Sequence, residues 1–318
     1  MTFLKTLTVT AAAACVLSSA AWAETRVTYK SAKAGSSYFQ MAVQIAEAMK
    51  EGSGGEISVT VEESQGSVQN VMEVRARGGD YVFTTPPALV GLAQGGRAMF
   101  EGKGNPAFDE IRALFPIPSL TMHFVMSADS GVDSFEDMAG KTILLGSGSF
   151  GAREGAKYLD LFGVKDQVKI ADSELSNAVN ALKNGQIDGF VTAGSYPAPN
   201  VIEAAASTGV KVLSLTPDQV AASKRTELTI PAGTYAGQDA DITTTSLPVV
   251  AYTTSKMDED TAYALTKTYW ETKADMAGDA KWWDGVSVDM LANITSQIHP
   301  GALRYYKEIG AALSDAHM

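Results

Sequence analysis

The stretch Gly146-Ser-Gly-Ser-Phe-Gly151 has the spacing G-x-G-x-x-G, which can hold an anion. A strand-like run, 142–145, precedes it and a helix-like run, 152–161, follows. Glycines let the backbone approach a phosphate or carboxylate at a helix N-terminus, where N–H groups are free. Asp172 follows a second strand-like run and completes the dinucleotide fingerprint on paper. Two interpretations stay open: an NAD site, or an anion cradle without a nucleotide.

Two further loops of small residues precede predicted helices, at 34–38 and at 65–67. Each supplies backbone donors and the positive end of a helix dipole, and the serine and threonine hydroxyls add neutral donors. The same residues also commonly serve only as helix caps and turns. If the three loops share one rim, they predict an anion site.

Residue combinations typical of catalysis or metal binding are missing from the sequence. The histidines are His123, His299 and His317, and none has a second His or a Glu at metal-binding spacing. His317 is expected to be exposed because it is next to the last residue. The only cysteine, Cys15, lies in the segment predicted to be removed. We therefore predict no enzymatic activity, no cofactor and no metal.

The N-terminal segment, residues 1–23, is typical of a secretory signal peptide. It has one cation, Lys5, an apolar run, and the ending Ala21-Trp22-Ala23, which predicts cleavage after Ala23 and a periplasmic protein. Loss of Lys5 changes the formal net charge from −11 to −12. An acidic chain argues against nucleic-acid binding. No later stretch is apolar enough to span a membrane, so we expect a mature chain outside the bilayer, as a monomer.

Strands and helices alternate along the chain, which favours an α/β fold with a mostly parallel sheet. Predicted strands are 26–30, 57–61, 81–85, 142–145, 168–171, 189–192, 210–214 and 247–253. Predicted helices are 38–50, 67–77, 152–161 and 176–183, with a mostly helical C-terminal part. Two similar halves predict two lobes with a cleft at the carboxyl ends of the parallel strands.

Several segments, in order, resemble the TAXI-type solute-binding proteins of TRAP transporters. The first is the A-x-A-G-S-S-Y-F run from Ala32 into a helix, and the second is Glu63-Ser-Gln-Gly-Ser-Val-Gln-Asn70. Gly140-Lys141 with the following glycine loop is similar to a third motif. The later matches are 181–190, 193–199, 230–235 and 298–306.

The resemblance implies a type II periplasmic-binding-protein fold, with two lobes joined by crossover strands near 122–126 and 249–252. It predicts lobe 1 from residues 24–122 and 252–318, and lobe 2 from residues 123–251. It further implies a receptor that carries a small carboxylate, such as glutamate, 2-oxoglutarate or another organic acid, to TRAP membrane permease subunits. Alternatives are a receptor for an ABC importer, a sensor, or an exported NAD-binding enzyme.

Two departures from the family's pattern concern the ligand. The glycine loop runs Phe150-Gly151-Ala152 where the family usually has Ser-Gly-Thr, and the third strand ends Thr84-Thr85-Pro86-Pro87 without an acid. If Phe150 faces the cleft, the ligand is less polar than glutamate there, and Arg153 could pair with a carboxylate. The predicted ligand-binding residues are Gly35, Ser36, Ser37, Tyr38, Gly66, Ser67, Asn70, Thr84, Thr85, Ser147, Ser149, Phe150, Gly151, Arg153, Thr192 and Tyr196.

Overall fold

The computed structural model describes residues 24–318. The predicted signal peptide and its cleavage site lie outside the described residues. Ten strands are present within residues 24–318. They are β1 (Thr25–Lys30), β2 (Ile57–Glu62), β3 (Tyr81–Thr85), β4 (Ile111–Ser127), β5 (Thr142–Leu144), β6 (Lys169–Ala171), β7 (Gly189–Gly194), β8 (Val210–Val212), β9 (Thr226–Ile230) and β10 (Ile242–Thr254).

The same part of the chain contains nine α-helices, several of which begin after a small capping residue or at a proline. They are α1 (Ser37–Gly52), α2 (Ser67–Glu73), α3 (Pro87–Gln94), α4 (Phe150–Leu161), α5 (Ala178–Lys183), α6 (Pro199–Ser207), α7 (Pro217–Ser223), α8 (Glu259–Asp279) and α9 (Pro300–Glu308).

The strands form one sheet whose path is β2-β1-β3-β10-β4-β7-β5-β6, with β8 on β4 and β9 on β10. β1, β2 and β3 are parallel, as are β5, β6 and β7. We call the first group and its helices lobe 1, and the second group with its helices, β8 and β9 lobe 2. The α/β class, with parallel strands in each half, is confirmed.

Two long antiparallel strands, β4 and β10, connect the lobes. β10 pairs with β3 through 250–252 and with β9 through 242–246, while β4 pairs with β7 through 121–126. The register of β10 against β4 shifts between Leu247 and Val249. Each strand therefore belongs to lobe 1 at one end and to lobe 2 at the other, as expected for crossover strands.

Aromatic side chains fill the interior beside β4 and β10. Phe115 stacks on Tyr269 of α8 with ring centroids 3.9 Å apart, and Phe83 stacks on Tyr252. Trp283 is fully buried, and its Nε1 donates to Gln44 Oε1. α8 packs between α1 and α9, so the C-terminal helices complete lobe 1.

Some boundaries and one burial differ from the sequence predictions. The predicted helix 67–77 ends at Glu73 and continues as a 3-10 turn, Val74–Ala76. The predicted exposure of His317 is wrong. This side chain is buried because its Nδ1 accepts from Ser314 N at 3.1 Å and its Nε2 bonds to Ile294 O at 3.0 Å.

Candidate functional site

A cavity of about 40 Å³ lies between the lobes, where the N-termini of α1, α2 and α4 converge. The first N–H groups of a helix have no partner within it, so these ends present free donors and positive dipole ends. The lining residues are Ser31, Ala32, Lys33, Ser36, Tyr38, Gln65, Gly66, Ser67, Thr84, Leu120, Ser149, Phe150, Gly151, Leu175, Ala193 and Val249.

The loop between β1 and α1 contributes the first wall. Ser36 is the N-cap of α1, and its Oγ accepts from Phe39 N at 3.3 Å. The N–H groups of the two preceding helical residues are left without an intrahelical acceptor. The Tyr38 ring lines the cavity, but its hydroxyl donates to Pro118 O at 2.7 Å, which ties this wall to β4.

The loop before α2 contributes the second wall, and it requires glycine at residue 66. Gly66 has φ 99° and ψ −167°, a conformation that is essentially restricted to glycine. A Cβ at this position would lie 3.0 Å from the Phe150 Cβ of the other lobe. Gly66 N donates to Ser64 Oγ at 2.8 Å, so the turn is held in place.

The G-x-G-x-x-G loop forms the third wall, between β5 and α4. Gly146 and Gly148 have positive φ values of 82° and 75°. Ser149 is the N-cap of α4, and its Oγ accepts from Ala152 N at 2.9 Å. Helix α4 begins at Phe150, two residues before the predicted start, which places Phe150 and Gly151 on the cavity. A Cβ at Gly151 would lie 3.3 Å from the Ala193 Cβ, so glycine allows close packing on β7.

Direct contacts across the cleft hold the lobes together around the cavity. Ser195 N donates to Ser37 Oγ at 3.0 Å, and Lys33 Nζ lies 2.8 Å from Glu174 Oε2. The Gln65 amide, oriented with its oxygen towards Lys33, also donates to Gly148 O at 3.3 Å. The cavity is therefore enclosed by both lobes.

Half of the predicted ligand-binding residues meet in this cavity. They are Ser36, Tyr38, Gly66, Ser67, Thr84, Ser149, Phe150 and Gly151.

Four predicted residues of lobe 1 lie directly behind or beside the cavity lining. Asn70 is buried, and its Nδ2 donates to Ser31 O at 2.7 Å and to Thr84 O at 2.8 Å. Thr85 is buried in β3 beside β10. A Cβ at Gly35 would lie 3.3 Å from the Ser176 Cα, so Gly35 belongs to the rim, as does Ser37.

The remaining predicted residues lie on lobe 2, away from the lining. Ser147 Oγ donates to Asp172 Oδ1 at 2.6 Å. The Arg153 guanidinium lies on the exposed side of α4, 5.8 Å from the Phe150 ring centroid. Thr192 is buried in β7 opposite His123. Tyr196 lines a separate groove of about 810 Å³ that also borders Pro118.

Several lining residues were missing from the predicted set. Gln65 lies in the predicted loop 65–67, and Lys33 directly precedes the predicted loop 34–38, where a cation next to small residues before a helix is a signal in the sequence. Leu120 and Val249 come from β4 and β10, and nothing in the sequence distinguishes them from ordinary core residues. Their place on the cavity follows only from the crossing of these strands.

The electrostatics of the lining favour an anion. Lys33 is the one charged residue among the lining residues, and none of them carries a carboxylate. Within residues 24–318 there is no group of three or more His, Cys, Asp or Glu side chains placed to hold a metal ion. The helices of this same range include none with an apolar stretch that would cross a membrane.

Solved structures of low sequence identity share this fold. A structure of the periplasmic binding protein BugD is 12% identical, with a TM-score of 0.56 over 90% of this chain and 98% of that one. A periplasmic transporter is 11% identical, with a TM-score of 0.55 over 90% and 92%. A protein of Bordetella bronchiseptica RB50 is 16% identical, with a TM-score of 0.51 over 92% and 84%.

These similarities agree with the strand order and the crossover strands, so the chain has the two-lobed type II fold of periplasmic binding proteins. Residues 30–310 match the NMT1-like family. This match covers most of the 318 residues, including all three loops of the cavity. The chain belongs to the NMT1-like family.

Proposed function

We propose that this protein is an extracytoplasmic solute receptor that closes its two lobes on a small carboxylate and delivers it to a TRAP-type secondary transporter. The observation that carries the proposal is the cavity itself. Three helix N-termini and Lys33 face it, and no lining residue is acidic. Such an arrangement stabilises an anion through backbone donors, helix dipoles and one opposite charge.

The proposed partner and location rest on the sequence. The resemblance to TAXI-type proteins supports TRAP permease subunits as the partner, and the N-terminal segment supports export with cleavage after Ala23. The names of BugD and of the periplasmic transporter support a periplasmic location. An ABC importer or a sensor is the alternative partner within the same functional class.

The division of the chain into lobes stays a prediction. The predicted boundaries are residues 122 and 251. Ala251 and Val250 pair with Thr84 and Thr85 of lobe 1. This pairing supports moving the second boundary back to the register shift beside Pro248.

The alternative of an NAD-binding enzyme has less support from the loop contacts. Asp172, which would bind the ribose, accepts the Ser147 hydroxyl and does not line the cavity. The glycine loop faces Gln65 and Gly66 of lobe 1 at contact distance. A dinucleotide would have to displace these contacts.

The test is a thermal-shift panel on protein exported to the periplasm, purified there and stripped of bound ligand. The panel contains monocarboxylates, C4 and C5 dicarboxylates, glutamate, sulfonates, neutral amides and NAD. A ligand at a hundred times its dissociation constant adds about 2.7 kcal/mol of stability, which raises Tm by several degrees. We expect a shift with a carboxylate. A shift with NAD alone would refute the proposal, and N-terminal sequencing would test cleavage after Ala23.

A further inference from the structure

Lys33 has an unusual position for a lysine. Its side chain is only 13% exposed, and it lines the cavity. Its Nζ lies 2.8 Å from Glu174 Oε2 and 3.1 Å from the Gln65 amide oxygen in the orientation that satisfies both groups. An ammonium group has three N–H donors, so these two neighbours leave one for a ligand.

The pairing with Glu174 crosses the cleft. Lys33 belongs to the loop between β1 and α1 in lobe 1, whereas Glu174 follows β6 in lobe 2. The Glu174 side chain is 48% exposed and does not line the cavity. Separation of the lobes would therefore break this ion pair, while Lys33 would stay with lobe 1.

Four other lining residues are apolar. Leu120 and Val249 come from the crossover strands, Leu175 from lobe 2, and Phe150 from the start of α4. A carboxylate placed beside them would be desolvated without a counter-ion, which is strongly unfavourable. The volume of about 40 Å³ favours a small ligand.

We propose that Lys33 is the counter-ion of the ligand carboxylate and that the cavity selects short monocarboxylates with an apolar tail over dicarboxylates. Glu174 on the opposite lobe pairs with Lys33 and orients it when the lobes close. This inference rests on the proposed function, because it assigns the substrate class of the same cavity. One formal cation and a group of apolar side chains match one carboxylate and one hydrocarbon tail.

The test compares butanoate with succinate, 2-oxoglutarate and butanamide by calorimetry on the ligand-stripped protein. We expect butanoate to bind at least tenfold more tightly than either dicarboxylate. Lys33→Gln should lower butanoate affinity at least tenfold and leave butanamide unchanged, while Lys33→Arg keeps the preference. Glu174→Gln should weaken all acids by a common factor and keep their ratio.

The matched control is Lys256→Gln. Lys256 lies 2.9 Å from Glu110 in an ion pair on lobe 1, away from the cavity, so its loss should leave butanoate affinity unchanged. Tighter binding of succinate or 2-oxoglutarate, or full butanoate affinity in Lys33→Gln, would overturn the assignment of Lys33 while keeping a carboxylate receptor. Failure of every carboxylate to bind would overturn the proposed function and this inference with it.

Discussion

At the scale of single residues, two glycines allow close contacts between the lobes, and one histidine is buried in the interior. Gly66 allows the loop before α2 to reach Phe150, and Gly194 allows β7 to reach Ser37. His123 is fully buried, with its Nε2 2.8 Å from the Tyr235 hydroxyl. Each of these residues has a consequence that can be measured separately.

The change Gly66→Ala should impair both folding and ligand binding. The strained backbone at φ 99° costs about 1–3 kcal/mol of stability, and the added Cβ also meets the Phe150 Cβ at 3.0 Å across the cleft, which opposes closure. We expect carboxylate affinity to fall by about tenfold or more, measured by calorimetry. Gly54→Ala is the control, since Gly54 also has a positive φ of 63° but has no atom within 4 Å of an added methyl group. Equal affinity losses in both variants would contradict this explanation.

Acid should destabilise the protein through His123, because burial lowers the pKa of His123 to about 4. Between about pH 4 and about pH 6.5, the unfolded chain binds more protons than the folded chain. Stability is therefore full above about pH 7 and falls as the pH drops towards 4, by at most about 3 kcal/mol from this residue. Burial also lowers the pKa of His299, so this residue likewise reduces stability as the pH falls.

Urea unfolding at about pH 7.5 and at about pH 4.5 measures this loss of stability. His123→Gln should reduce the difference in unfolding free energy between the two conditions, whatever its effect at neutral pH. The wild-type protein under the same two conditions is the comparison. An unchanged difference in His123→Gln would show that other groups cause the acid sensitivity.

At the scale of elements, the short helix α2 is the support on which the lobe 1 wall depends. Asn70 of α2 donates to the carbonyls of Ser31, just after β1, and of Thr84 in β3, at 2.7 Å and 2.8 Å. Tyr81 adds a hydrogen bond from its hydroxyl to Asn70 O at 3.0 Å. One helix thereby fixes the ends of two parallel strands, and with them Ser31 and Thr84 of the lining.

Asn70→Ala should cost stability and affinity together. The change leaves Thr84 O without its side-chain donor in a buried place, so we expect a loss of roughly 1–3 kcal/mol in unfolding free energy. Loosening of the strand ends should also weaken carboxylate binding. Asn105→Ala, which removes an N-cap far from the cavity, should cost about 1 kcal/mol and leave affinity unchanged. Wild-type affinity in Asn70→Ala would show that the wall is held by other contacts.

At the scale of the whole molecule, closure depends on a few contacts between the lobes. The Ser195 N–H donates to Ser37 Oγ, and Gly194 lies so close that a Cβ would collide with this oxygen. When the lobes are apart, a water molecule can accept the hydrogen bond from Ser195 N in place of Ser37 Oγ. Changes at these residues should therefore penalise the closed arrangement selectively.

Ser37→Ala and Gly194→Ala should each lower carboxylate affinity by about tenfold, since a buried donor without an acceptor costs about 1–3 kcal/mol. Together they should cost little more than either alone, because removing the oxygen also removes the collision. Calorimetry on both single variants and the double variant measures the coupling. Gly91→Ala, with no atom within 4 Å of the added methyl group, is the control. Additive losses would contradict a shared contact.

Patterns within short segments of the sequence were enough to predict the α/β class. Alternation of strand and helix signals is a local property, because each depends on side-chain periodicity and on capping residues nearby. The three loops of small residues were likewise found from sequence, and the helices after them begin where free N–H groups face the cavity. Gly66, Gly146 and Gly148 adopt the positive φ values that such loops require.

Only the tertiary structure decided which of these groups share the cavity. Lys33 meets Glu174 because two lobes built from distant segments close on each other, and no local pattern encodes that distance. Leu120 and Val249 become lining residues because β4 and β10 cross between the lobes. Ser147 and Tyr196 lie in predicted loops, yet their side chains turn towards Asp172 and towards a separate groove. Local sequence thus determined the elements and their capped ends, whereas long-range packing determined which side chains face the ligand.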